Sequence, residues 1–114
     1  LISCHTCHPS LCNDNLSGVA LSAILGTYMK ALSLRYSYRI LFIPGTVGSI
    51  AWLYTNENRV PRIKHGMVLA CLGDRGKSTY KRSRRGNAEI DQAAARLKAA
   101  ESAYQAELAR QSKQ

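Results

Sequence analysis

A chain of 114 residues has room for at most one ordinary domain. Its formal net charge of +9 excludes an acidic, phosphate-repelling surface and points to partners that carry phosphate. Four cysteines, three of them crowded at Cys4, Cys7 and Cys12, exclude the evenly spaced disulfide framework of a small secreted scaffold. That usage favours a reducing or mitochondrial setting. The chain opens on Leu1 rather than Met, which reads as a fragment, a processed chain or a faulty gene model, and no N-terminal signal is read in the residues given.

Residues 1–15 are polar, with Pro9 and the turn-forming run Asn13-Asp14-Asn15, and are expected to be a disordered leader. The same run can cap a following helix. Cys4-His5-Thr6-Cys7-His8 matches the pattern for covalent haem attachment. Cys4, Cys7, His8 and Cys12 offer a thiolate and imidazole set for zinc, although no second ligand pair follows at the usual distance. The expectation is that these residues hold neither, so no metal and no cofactor is assigned.

Leu16 to Leu34 is the candidate membrane span. It has 19 residues and one charge, Lys30, and as a helix would reach about 28 Å against a hydrocarbon thickness of about 30 Å. Gly18, Ser22 and Gly26 form a small-residue stripe that would let another helix approach closely. Lys30, Arg35 and Arg39, interleaved with Tyr28, Tyr36 and Tyr38, read as an interfacial anchor. The bland alternative is a buried helix of a small core, because Ser17, Ser22, Thr27 and Ser33 dilute the hydrophobicity. Residues 16–39 are taken together as span and anchor.

Residues 40–58 are a short apolar segment and loop. Ile40 to Tyr54 is too short to span, and Pro44, Gly45 and Gly48 weaken a helix. Val47, Ile50, Trp52 and Tyr54 tolerate strand structure. Residues 59–86 form a basic linker of nine bases and one acid. Within it Arg75, Lys77, Lys81, Arg82, Arg84 and Arg85 make a basic patch for anionic lipid or RNA phosphate. Gly73-Asp74-Arg75-Gly76-Lys77-Ser78 lacks the four intervening residues of a phosphate-cradling loop.

Residues 87–114 carry four bases and four acids and read as one long amphipathic helix. Asn87 is a suitable N-cap, Glu89 and Asp91 suit the positive end of the helix dipole, and Arg110 and Lys113 suit the other end. Ile90, Leu97, Tyr104 and Leu108 form a stripe for a partner helix. The acids are scattered and His65 has no nearby carboxylate or nucleophile in sequence, so no enzyme chemistry is expected.

The order of these features resembles the small membrane subunits of mitochondrial ATP synthase, above all the subunit e family. Leu34-Arg35-Tyr36-Ser37 looks like that family's signature, Gly18-xxx-Ser22-xxx-Gly26 is similar to its span stripe, and residues 76–80 with the C-terminal helix look like its span exit and tail. The resemblance implies a non-catalytic accessory subunit of the mitochondrial inner membrane, acting in assembly or dimerisation of a proton-driven complex. Its partners would be other small membrane subunits and anionic lipid headgroups, with no small-molecule substrate. A small basic RNA-associated or organellar ribosomal protein is the second reading. The fold expected is mainly α: one N-terminal span, a long C-terminal helix and no compact globular core.

Overall fold

The computed structural model describes residues 1–112 and divides into two units, Leu1–Ser78 and Thr79–Gln114. The first unit is built on a three-stranded parallel sheet. Strand β1 (Ile2–His5) lies between β2 (Ile40–Ile43) and β3 (Met67–Val68). Ile2 is level with Ile40 on one side and with Met67 on the other, and His5 is level with Ile43. The β2 sequence Ile-Leu-Phe-Ile is the continuous apolar run expected of a parallel strand.

Parallel neighbours require a crossover of a dozen or more residues. Helix α1 (Gly18–Lys30) supplies it between β1 and β2. Helix α2 (Val47–Thr55) and a 3₁₀ turn (Glu57–Arg62) lie between β2 and β3. Side chains alternate along β1, so that Ile2 and Cys4 are buried while Ser3 and His5 are only partly covered. The Cys4 thiol meets the Gly18 carbonyl at 3.3 Å and the Ser22 hydroxyl at 2.9 Å. A Cβ on Gly26 would stand 3.1 Å from Ile40 Cδ1. The stripe Gly18, Ser22 and Gly26 therefore faces the sheet of its own chain. Small residues there let α1 lie close to β1 and β2.

Several expectations are corrected. The fold is mixed α/β with a small core beneath β1, rather than mainly α without a core. Residues 1–15 supply the central strand instead of a disordered leader. The run Leu16–Leu34 does not form one span. Its helix, α1, has 13 residues, about 20 Å against the roughly 30 Å of a bilayer core. Among the described residues no helix is long and apolar enough to cross a membrane. Lys30 ends α1, whereas Arg35 and Arg39 lie in the exposed return to β2, so they have no span to anchor. The chain must leave the helix there to bring Ile40 level with Ile2. Ile50, Trp52 and Tyr54, read as tolerant of strand, lie in α2.

The second unit holds helix α3 (Glu89–Gln111), where a helix is expected over 87–111. Its N-cap is Ala88 rather than Asn87. The capping is done from inside the helix: Asp91 accepts hydrogen bonds from the Ala88 and Ser83 backbone N–H groups (2.9 and 2.8 Å), the Ser83 hydroxyl (2.6 Å) and the Tyr80 hydroxyl (2.8 Å). Asp91 is buried, and those bonds hold its carboxyl down at about 2, the Ser83 hydroxyl contributing most. Leu97, Tyr104 and Leu108 are exposed and Ile90 is half-buried. Lys113 lies outside the described residues.

Candidate metal centre

Open parallel sheets present ligand sites beyond the carboxyl ends of their strands. At that end of β1, the chain runs from His5 through Thr6, Cys7 and His8 into an exposed loop. Thr6 N–H donates to the Ile43 carbonyl (3.0 Å), which fixes the loop's exit against β2. One potential ligand atom from each of His5, Cys7 and His8 lies within 4.8 Å of the others.

Asp14 lies against both histidines of the group. Its Oδ1 is 2.6 Å from His5 Nε2 and its Oδ2 is 3.5 Å from His8 Nε2. The turn that carries it, Asn13–Ser17, is irregular, and its Asp14–Asn15 peptide bond is cis. Its neighbours are tied to residues 69–73. Buried Asn15 donates through Nδ2 to the Leu69 carbonyl (2.7 Å) and accepts from Cys71 N–H (3.2 Å). Asn13 Oδ1 accepts from Gly73 N–H (2.7 Å), and the Ser17 hydroxyl accepts from Leu72 N–H (2.9 Å). Gly18 has no room for a side chain, because a Cβ would come within 2.5 Å of Asn15 Oδ1 and 2.7 Å of the Leu69 carbonyl. With both flanks clamped, Asp14 is presented to the histidines.

The electrostatics follow from these contacts. Partial desolvation disfavours the Asp14 carboxylate, but the His5 charge and hydrogen bonds from His5, His8 and Cys71 outweigh it and hold its pKa below the usual value. His8 is shifted up, first by its hydrogen bond to the Pro9 carbonyl and then, against some desolvation, by Asp14. Desolvation, Asp14 and Asp74 push the Cys71 thiol up. His8 Nδ1 lies 3.0 Å from the Pro9 carbonyl. Nδ1–H therefore stays on the Pro9 carbonyl while Nε2–H faces Asp14, and a metal ion would take the place of the Nε2 proton, as in metal-bound histidines.

Two spacings in this cluster are close to those of a zinc-like site. Metal bonds of about 2.0–2.3 Å in a tetrahedron place ligand atoms roughly 3.3–3.8 Å apart. His8 Nε2 to Asp14 Oδ2 falls in that range, and the His5 Nδ1 to Cys7 Sγ distance of 3.2 Å is just below it. Gly45 borders the group, and a Cβ there would make ordinary van der Waals contact with Cys7 Sγ (3.4 Å) and His5 Cβ (3.6 Å).

The thiol and imidazole set suggested by sequence is only partly brought together. Cys4 points to the opposite face of β1, into the core, which also separates the two thiols needed for haem attachment. Cys12 is exposed and outside the group. His5 and Asp14 stand in their place. In the sequence Asp14 belongs to a turn-forming run that can also cap a helix, with no motif that marks a ligand role. The available signal was a carboxylate six residues after His8, flanked by two asparagines that can fix a loop. The other residues singled out lie elsewhere. Arg75 and Lys77 are in an exposed segment of the first unit, where Asp74 Oδ1 accepts from Gly76 N–H at 2.7 Å. Lys81, Arg82, Arg84 and Arg85 are exposed residues of the second.

The family model described as "Domain of unknown function (DUF4910)" matches residues 1–111, and the chain belongs to that family. A relative from Clostridium acetobutylicum, named "Putative polysaccharide biosynthesis protein with aminopeptidase-like domain", is 53% identical over 91 residues. The alignment covers 80% of this chain and 21% of the relative, so the chain spans about a fifth of that protein's length. No solved structure matches. These findings overturn the resemblance to ATP synthase subunit e. The family match runs through residues 38–75, which that resemblance did not use, and the relative is bacterial. With it go the accessory-subunit function, the mitochondrial inner-membrane location, and the membrane-subunit and lipid partners. The RNA-associated alternative gains no support from either match.

Proposed function

We propose that this chain carries a metal centre of an aminopeptidase-like hydrolase domain, the remainder of whose active site is supplied by a longer protein. The observation that carries the reading is the meeting of His5, Cys7 and His8 at the carboxyl end of the central strand, with the Asp14 carboxylate against both histidines. The relative's name, which includes an aminopeptidase-like domain, supports the same chemistry.

His8 Nε2 and the Asp14 carboxylate are the first pair of ligands. His5 has two uses: its Nδ1 lies beside Cys7 Sγ, while Nε2–H can donate to Asp14. In the second use Asp14 orients the ring and raises its basicity, as outer-shell carboxylates do. A zinc ion held by such a set supplies Lewis acidity toward a carbonyl and activates water near neutral pH. The protein's own part is positional. The clamped Asn13–Ser17 turn fixes the carboxylate, the β1 end fixes His5, and the Pro9 carbonyl fixes the His8 tautomer.

Cobalt(II) substitution tests the reading on this chain. Stoichiometric binding with the intense visible bands of a tetrahedral site is expected, with a thiolate charge-transfer band that Cys7→Ser removes. His8→Ala and Asp14→Asn should each abolish stoichiometric binding. If the wild-type chain binds no cobalt, or if both variants bind it as well as wild type, the proposed centre is wrong.

A further inference from the structure

The opposite end of the sheet is also built for a ligand. A cavity of about 600 Å³ lies at the amino ends of the strands, within the first unit. Arg39 immediately precedes β2 and its carbonyl accepts from Ile2 N–H at 2.8 Å, while His65 lies two residues before β3. The candidate metal ligands lie at and beyond the carboxyl end of β1. A four-residue strand of about 3.3 Å per residue therefore separates the two places.

Five cationic side chains line this cavity: Arg35 and Arg39 from the return before β2, Arg59 and Arg62 from the 3₁₀ turn, and Lys64 after it. No acidic side chain lines it among the described residues. Like charges gathered round one cavity repel one another, and an anion removes that repulsion. Guanidinium groups match phosphate oxygens in pairs. Two of them are braced by aromatic faces. Arg39 lies over Trp52 at 5.7 Å, and Arg35 lies over Tyr36 at 5.4 Å. Tyr36 in turn meets the edge of His65 at 6.0 Å. Bracing limits the rotamer freedom that a long cationic side chain gives up on binding.

We propose that this cavity binds a small molecule bearing a diphosphate. Two separate segments supply the arginines, so the site suits two linked phosphates better than one. The diphosphate can belong to free pyrophosphate or to a nucleoside diphosphate, whose ring would use the aromatic lining.

Trp52 is the chain's single tryptophan and lines the cavity, so its fluorescence reports occupancy directly. The intact chain is titrated with pyrophosphate, ADP and monophosphate, with a chelator present so that no metal at the β1 end captures phosphate. Pyrophosphate should give a saturable change, with affinity at least about tenfold above monophosphate. Tighter binding of ADP assigns the ligand to the nucleotide class, and equal binding assigns it to the diphosphate alone. Arg59→Gln with Arg62→Gln should weaken binding at least about tenfold, with circular dichroism unchanged. If that pair disturbs folding, Lys64→Gln serves and should weaken binding in the same direction. Lys81→Gln with Arg84→Gln, in the second unit, should leave affinity as it is. The proposal is overturned by the absence of a saturable response, by cavity variants that bind like wild type, or by equal losses in the second-unit control. Because chelator is present throughout, the result is independent of whether the metal centre exists.

Discussion

Asp14 and Asp91 are both carboxylates held below their ordinary pKa, yet they are held for different ends. Asp91 is saturated. It accepts four hydrogen bonds from groups that do not ionise in the neutral range, all within 11 residues, and is buried by them. Nothing remains on it for a ligand, and its work is to begin a helix. Asp14 is exposed, and its partners are two histidines and a thiol, all potential metal ligands. Its position is set by neighbours bonded across 54 to 60 residues. A depressed carboxylate pKa therefore does not mark a site. The nature of the donors and the remaining access do.

The largest expected effect separates the two acids by metal affinity. Asp14→Asn and His8→Ala should each lower zinc affinity at least about 100-fold, more than loss of an outer-shell partner does. Asp91→Asn should leave it within about twofold, because additivity holds for sites that share no partners. Competition against a chromophoric chelator measures all three.

Acid provides the next contrast. Zinc requires neutral imidazole, so below the raised pKa of His8 its affinity should fall about tenfold per pH unit. In the metal-free chain the signs differ. His8, raised above 6.5, contributes stability below 6.5 that is lost as pH rises through its folded value. Asp14, lowered from 3.8, contributes stability above 3.8 that is lost as pH falls through its folded value. Asp91 behaves like Asp14, and its contribution disappears between 3.8 and about 2. Helicity of α3 should therefore persist at pH 5, where zinc affinity has already fallen.

Gly18→Ala tests the clamp without touching a ligand. The added Cβ collides with Asn15 and the Leu69 carbonyl, and should cost about 1–3 kcal/mol in urea unfolding. Because the same contacts hold Asp14, zinc affinity should also fall, which a purely structural cost elsewhere would not produce. Asp91→Asn should fray about the first turn of α3, seen as reduced ellipticity and faster amide exchange of the leading residues. Smallest of all, Leu97→Ala should change stability by no more than about 0.5 kcal/mol, since its side chain is 72% exposed. We propose that the stripe Ile90–Leu97–Tyr104–Leu108 serves a partner helix. A concentration-dependent Tm that the Leu97 variant loses would support that role, and a concentration-independent one would end it.

Helix α3 is legible from local sequence alone. Its alanine content, uninterrupted period and early acids are local properties, and a helix is satisfied by bonds between residues four apart. The sequence also carries the crowded His and Cys residues near the amino end, and the concentration of charge in 59–86. Where those residues lie relative to one another depends on contacts between distant parts of the chain. The small-residue stripe of Gly18, Ser22 and Gly26 reads equally as a membrane seam or as a face for a sheet, because both demand close approach. The strands Ile2–His5 and Met67–Val68 are too short to show a period, and a parallel pair gains its hydrogen bonds only from distant chain. Asp14 became a candidate ligand for the same reason. Its direction depends on Leu69, Cys71 and Gly73, which no reading of neighbouring residues could place beside it.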